Sequence, residues 1–290
     1  MGVELAVYSL VTPDLKPEEL AEAAKSAGIA GVEWLYHEIP EEARREKPSF
    51  LRNNLCSISP IGGDEHLIRF KKAAEAHGLT IISINPDKYL QANHVEITEK
   101  ALDAAKKLGA KYVRLGVPLY DGKENYRQLF DKEVEYLRKA VSLCKHYGVK
   151  GLLEIHHKTI APSASAAFRL CEKFDPDWLG VTYDPGNMVF EGFENYRMGM
   201  ELLGPYLAHV HVKNAAWGPV QSVTDGSVPW ECSWKPMKQG MVPWQQVLAD
   251  LKSVGYDGYL SLEDLSEEHD SRTLLKQFAA YMRSLLNEKI

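Results

Sequence analysis

One local unit recurs along this chain: a helical stretch, a glycine, then a short apolar strand. It reads KSAGIAGVEWL, EAHGLTIISI, KKLGAKYVRLGV, KHYGVKGLLEIH and LKSVGYDGYLSLE, with the glycines at Gly28, Gly78, Gly109, Gly148 and Gly255. Glycine ends helices because it enters the left-handed conformation without steric cost. A variant, ELLGPYLAHVHV, has Gly204 followed by Pro205. The stretches before the glycines show helical spacing, as in Ala101, Leu102, Ala104, Ala105 and Leu108.

Counting these units predicts strands over Leu5–Leu10, Gly31–Leu35, Thr80–Asn85, Tyr112–Val117, Gly151–His156, Leu179–Asp184, Leu207–Lys213 and Gly258–Glu263. Helices are expected near 16–27, 66–77, 94–108, 125–147, 163–174, 194–203, 243–254 and 271–287. Alternating β and α units of this number define an α/β chain closed into a (β/α)8 TIM barrel. We expect one barrel domain over residues 1–290, with long loops at its active-site end near 37–65 and 215–242. A doubly wound open sheet would need a glycine-rich phosphate turn after the first strand, and SLVTPDLKPEE offers none.

Composition narrows the partners. The net charge of −6 gives no global basic field to draw in nucleic acid or an acidic membrane. Cys56, Cys144, Cys171 and Cys232 are far apart and form no CxxC pair, which suits free thiols in a reducing compartment. No signal peptide or membrane span is visible, so a cytoplasmic location is expected. No phosphate cradle is visible either, which favours a free sugar, a cyclitol or an oxidised glycoside over a sugar phosphate. A homo-oligomer is compatible with the sequence, but no interface can be read from it.

The strand LAHVHVKN carries the chemical signal. His209, His211 and Lys213 alternate with Ala208, Val210 and Val212. In a barrel the valines face helices and the polar set climbs the inner face towards the mouth. The same alternation puts Glu154 of LLEIHH, Asp184 of VTYDPGN and Glu263 of YLSLE at upper strand ends on the inside, with Glu33 and Asn85 in phase. Three carboxylates in one cavity repel one another, and a cation relieves that repulsion. Glu154, Asp184, His211 and Glu263 therefore form a candidate site for one divalent metal ion. Its oxygen-rich ligand set suits Mn²⁺ first, then Mg²⁺, with Zn²⁺, Co²⁺ or Fe²⁺ as further candidates. Arg114, Lys213 and Lys158 are the candidate inward basic residues; Arg114 and Lys213 are expected to bind substrate, with pairing to a carboxylate as the alternative for Lys213. Trp217, Trp230 and Trp234 lie on the long loop after strand seven. Trp217 is the candidate face for stacking on a sugar, although these rings would also serve to pin the loop.

With LLEIHH, VTYDPGN, LAHVHVKN and GYDGYLSLED in this order, and GVEWL at strand two, the chain resembles the sugar phosphate isomerase/epimerase family of xylose isomerase-like barrels. The resemblance implies the same four metal ligands, with Glu154 and Glu263 also acting as the catalytic acid and base. It implies a keto-sugar or related polyol carried through a metal-stabilised cis-enediolate, ending in isomerisation or epimerisation. Elimination is the alternative outcome, as in inosose dehydratase-like or keto-glycoside-cleaving lyases. Two features bear on that choice. Asn187 stands where many members have a histidine, a position expected to touch substrate. His156 sits one pleat above Glu154 and resembles the proton shuttle of the dehydratase branch. His209 is expected behind the ligands, and His157 is expected to point outward without a role. Abasic-site nucleases share the barrel, but Asn187 and the acidic net charge argue against one. The intact ligand set argues against a non-catalytic sugar binder.

Overall fold

The computed structural model describes residues 2–87, 94–220 and 226–287. Eight parallel strands close into a barrel: β1 (Glu4–Tyr8), β2 (Gly31–Tyr36), β4 (Thr80–Pro86), β5 (Tyr112–Leu115), β6 (Lys150–Glu154), β7 (Leu179–Tyr183), β8 (Leu207–Val212) and β11 (Tyr259–Leu262). Closure is made by β11 against β1, with Glu4 opposite Tyr259 and Val7 opposite Leu262. A two-residue strand, β3 (Ser57–Ile58), pairs with the upper end of β2.

The helices are α1 (Pro17–Ala27), α2 (Gly63–Ala76), α3 (Val95–Leu108), α4 (Tyr126–Tyr147), α5 (Ala164–Cys171), α6 (Pro185–Phe190), α7 (Tyr196–Leu203), α8 (Trp244–Ser253) and α9 (Ser271–Asn287). The five repeat glycines all adopt left-handed conformations, with φ between 64° and 77°. Each lets the chain leave a helix and turn directly into the next strand. The apolar layer lies between sheet and helices. Val7, Val32, Val210 and Val212 pack there against Leu20, Leu102, Leu137 and Leu275.

The structure departs from the sequence expectations mainly at the mouth. Strand β5 stops at Leu115, and α5 stops at Cys171. Beyond Tyr183 the chain turns at once into α6. Asp184 becomes its N-cap, with the carboxylate accepting the Asn187 amide N–H at 2.8 Å. The excursion over 215–242 is not wholly loop. Its β9 (Asn214–Pro219) and β10 (Trp230–Lys235) form an antiparallel hairpin, while residues 221–225 lie outside the described residues. The EEARR run forms a 3-10 turn over Glu41–Arg45 that buries only Ala43.

One group sits oddly in this core. Glu133 on α4 is fully buried, and neither carboxylate oxygen has a hydrogen-bond partner among the described residues. Burial alone pushes its carboxyl well above the ordinary value, so the folded state favours the protonated acid. A carboxyl raised on folding costs stability as pH climbs above its unfolded value of about 4.3. Glu133→Gln should therefore melt close to wild type at pH 4 and higher at pH 8. Thermal unfolding at the two pH values checks this, with about 2–4 °C expected for each kcal/mol recovered.

Candidate metal centre at the barrel mouth

Four neighbouring strands deliver the polar cluster. Glu154 ends β6, Asp184 follows β7, His211 lies near the end of β8 and Glu263 follows β11. One ligand atom from each falls within 4.8 Å of all the others, and all four residues are buried. His211 Nδ1 stands 3.0 Å from Glu263 Oε2, 3.6 Å from Glu154 Oε1 and 3.7 Å from Asp184 Oδ2. Neither ring nitrogen of His211 makes a well-aligned hydrogen bond among the described residues. A buried imidazole nitrogen aimed at three carboxylate oxygens is a donor set that fits a divalent cation.

The cluster is held from behind. Glu33 of β2 accepts a hydrogen bond from His209 Nε2 at 2.9 Å, and its same oxygen lies 3.3 Å from His211 Nε2. Its other oxygen accepts from Asn85 Nδ2 at 2.8 Å, and Asn85 Oδ1 accepts from the Ser83 hydroxyl at 2.6 Å. Burial opposes ionisation of Glu33, but His209 and His211 outweigh it and hold the carboxyl well below its usual range. An anionic Glu33 favours the proton of His211 on Nε2. Burial opposes charge on His211, but Glu263 and Glu33 outweigh it and hold its pKa well above the ordinary value, so Nδ1 also carries a proton towards the carboxylates, a place that a divalent cation would take over. His209 thus takes the position expected of it, deeper in the barrel than His211.

Two cations neutralise the carboxylates from the sides. Arg114 donates from Nη1 to Glu154 Oε2 at 2.9 Å and from Nη2 to the Pro86 carbonyl at 2.5 Å. Lys213 Nζ lies 2.5 Å from Glu263 Oε2, 2.9 Å from Asp184 Oδ2 and 3.9 Å from Glu154 Oε1. Burial disfavours the charged form of all three acids. Arg114 still holds Glu154 well below the usual range, and Lys213 brings Glu263 down to about 2. For Asp184 burial prevails against Lys213, and its carboxyl is raised.

Asn187 is fully buried on α6. Its Nδ2 has three acceptors: Asp184 Oδ2 at 2.8 Å, the Ile155 carbonyl at 3.0 Å and Glu154 Oε1 at 3.2 Å. These acceptors fix the amide, so Oδ1 must take the proton of His157 Nδ1 at 2.9 Å. The expectation that His157 points outward is therefore corrected. Its ring stacks between His156 and Phe190, each 4.3 Å away between centroids. The turn after β6 breaks the strand alternation on which that expectation rested. His156 Nδ1 lies 2.6 Å from the His157 carbonyl, which makes Nδ1 the donor and Nε2 the basic atom. His156 shares with Glu154, Arg114 and Thr159 the lining of a small hollow of about 20 Å³.

Of the hairpin tryptophans, Trp234 lies over the cluster, with its ring 4.9 Å from Lys213 Nζ and 4.5 Å from Phe190. Trp217 instead donates from Nε1 to the Val189 carbonyl at 2.7 Å and leaves 42% of its surface exposed. Sequence reasoning assigned nothing to Tyr8. It ends β1 fully buried, with its ring 6.0 Å from the His211 ring and its hydroxyl without a partner among the described residues. The alternation of ELAVY, which sends Leu5 and Val7 outward, was the signal that could have found it. A larger hollow of about 620 Å³ opens at the rim among Pro13, Lys47, Phe50, Asp264 and His269. It contains none of the four clustered ligands, and we place the chemistry at the cluster because the reactive groups converge there.

A buried polar cage at the C-terminal ends of barrel strands is where barrel enzymes carry their active sites, and its His/Glu/Asp set is consistent with a divalent-metal site. The sequence profile of the Xylose isomerase-like TIM barrel family matches residues 21–285, and the chain belongs to that family. Inosose dehydratase 2 of Bacillus cereus is 21% identical over 90% of this chain and 96% of its own length. The probable 3-DHS dehydratase of Bacillus anthracis superimposes with a TM-score of 0.72 at 16% identity, covering 99% of this chain and 100% of its own. D-allulose 3-epimerase from Methylomonas sp. superimposes with a TM-score of 0.71 at 15% identity, covering 98% of each chain. Likeness to solved structures at these identities shows the fold.

The bonds around Glu33 make a specific demand. Glu33→Gln should lower affinity for a divalent cation such as Mn²⁺ by about 10–100-fold, because the imidazole loses the carboxylate that fixes its tautomer. Calorimetric titration measures it, and unchanged affinity would show that Glu33 does not orient His211.

Proposed function

We propose that this chain is a divalent-metal-dependent enzyme that removes the C–H proton beside the carbonyl of a keto-sugar or related polyol and returns it, as a sugar isomerase or epimerase does. The observation that carries this reading is the cage itself: Glu154, Asp184, His211 and Glu263 offer one ligand atom each within 4.8 Å of one another. A divalent cation, when bound, supplies Lewis acidity that acidifies a C–H beside a carbonyl. Mn²⁺ and Mg²⁺ suit the three carboxylates best.

The chain's own groups handle the proton. Glu154 and Glu263 are the acid and base, each tied to its own buried cation, Arg114 and Lys213. Those cations hold a carboxylate ionised despite burial, as a base must be to accept a proton, while the glutamate acting as acid would hold the proton that it returns. Asn187 fixes the Glu154 and Asp184 oxygens through its amide, so it acts on the substrate only through them. Trp234 closes the site with an aromatic face, which suits the C–H side of a sugar. The few basic residues turned inward favour an unphosphorylated substrate.

A second reading is dehydration, in which the proton is lost together with a neighbouring hydroxyl. A leaving hydroxyl needs a proton donor, and His156 stands in the same hollow as Glu154. The curated relative named inosose dehydratase 2 points the same way.

Incubation with keto-hexoses and keto-cyclitols in D₂O, with Mn²⁺ or Mg²⁺ present, separates the two. Isomerisation or epimerisation should add deuterium to a product of otherwise unchanged formula, whereas dehydration should also remove one water. Glu154→Gln and Glu263→Gln should each slow turnover by about 10²–10⁴-fold. Absence of both deuterium incorporation and loss of water with either substrate class would sink both readings.

A further inference from the structure

Lys213 uses the same atoms that make up the metal cage. Its ammonium touches Glu263 Oε2 and Asp184 Oδ2 and approaches Glu154 Oε1, and those oxygens are the ones that face His211 Nδ1. The side chain is 1% exposed, so water does not screen the charge. Its path is built into the backbone. A Cβ on Gly186 would stand 2.4 Å from Lys213 Cγ, so only glycine lets α6 pass this close to the lysine stem. Trp234 covers the ammonium from the mouth side at 4.9 Å, within reach of a cation–π attraction.

Lys213 is thus not a general surface cation that happens to lie near acids. Three buried carboxylates carry three negative charges, and Arg114 balances one of them through Glu154. The ammonium balances a second. Adding a divalent cation to the same oxygens puts two cations at competing positions on Glu263 and Asp184. Like charges a few ångströms apart in a buried site repel strongly.

We propose that Lys213 is a tethered counter-cation that competes with the divalent metal for Glu263 and Asp184, and that metal entry drives its ammonium off those oxygens towards the Trp234 face. Metal loading thereby delivers a positive group to the substrate side of the cage. That group suits an oxygen of the sugar that gains negative charge. This inference rests on the metal-centre reading above.

The test is metal binding and stability, not turnover. Mn²⁺ is titrated calorimetrically into wild type, Lys213→Met, Lys213→Gln and the surface control Lys276→Met. Both Lys213 variants should bind Mn²⁺ at least about tenfold more tightly than wild type, and Lys276→Met should match wild type. In chelator the Lys213 variants should melt below wild type, because their carboxylates lose a counter-charge. Saturating Mn²⁺ should then raise their melting temperature more than it raises wild type's. The glutamine variant keeps a polar group for Glu263 and Asp184, which keeps the test open if the methionine variant does not fold. Equal or weaker Mn²⁺ binding in the folded Lys213 variants would overturn the competition and leave the metal-centre reading standing. Absence of Mn²⁺ binding in wild type and variants alike would overturn both.

Discussion

The mutual repulsion of Glu154, Asp184 and Glu263 is the constraint around which the upper barrel is arranged. Three carboxylates, each at most 4% exposed, converge on one imidazole nitrogen. A buried charge without a partner is one of the costliest things a fold can contain. The surrounding residues make sense as answers to that cost. Arg114 reaches in from β5, Lys213 from the end of β8, and the Asn187 amide caps what they leave. Removing Arg114 or Lys213 would take from a buried carboxylate its nearest counter-charge.

The same constraint explains why the cluster is precise. A cation on one side of a carboxylate fixes which oxygen faces inward. Arg114 takes Glu154 Oε2, so Oε1 turns towards His211. The opposite side of the imidazole is fixed by Glu33, itself pinned by Asn85 and Ser83. The orientation of His211 is therefore set by a chain of bonds that crosses the barrel interior from β4 through β2 to β8. Rigid strands carry every link, which suits a site that must hold its groups in place without reorganising.

Much of this was legible in the sequence because a barrel translates strand alternation directly into inside and outside. The repeat glycines announced the units, and the strand period put Glu154, Asp184, His211 and Glu263 on one face of adjacent strands. What could not be read lies where alternation stops. His157 follows the end of β6, where the chain leaves the pleat, so its direction depends on Phe190 and Asn187 rather than on strand period. Asp184 was counted as a strand end, yet it caps α6, because Pro185 favours a helix start at that point. The hairpin of β9 and β10 showed no clean alternation in sequence, since its two strands pack on the barrel at some positions and face solvent at others. Tertiary contact thus settled which tryptophan lies over the cage.

The choice between returning a proton and losing a hydroxyl depends on the groups outside the cage, because both outcomes begin with the same proton removal. Here the outer groups are an asymmetric set. On the Glu154 side stand two stacked imidazoles, His156 and His157, with Asn187 bonding His157 to the carboxylates. On the Glu263 side stands the Lys213 ammonium, and the Trp234 ring reaches from it across to Phe190 and His157. The imidazoles beyond His211 that could pass a proton to a leaving hydroxyl therefore stand on the Glu154 side, while the Glu263 side offers the Lys213 ammonium. An elimination that used His156 as the donor would present its leaving group on the Glu154 side, with its C–H towards Glu263. An epimerisation makes no such demand and needs only the two glutamates on opposite faces of the substrate. The asymmetry turns the question of reaction type into a question of substrate orientation.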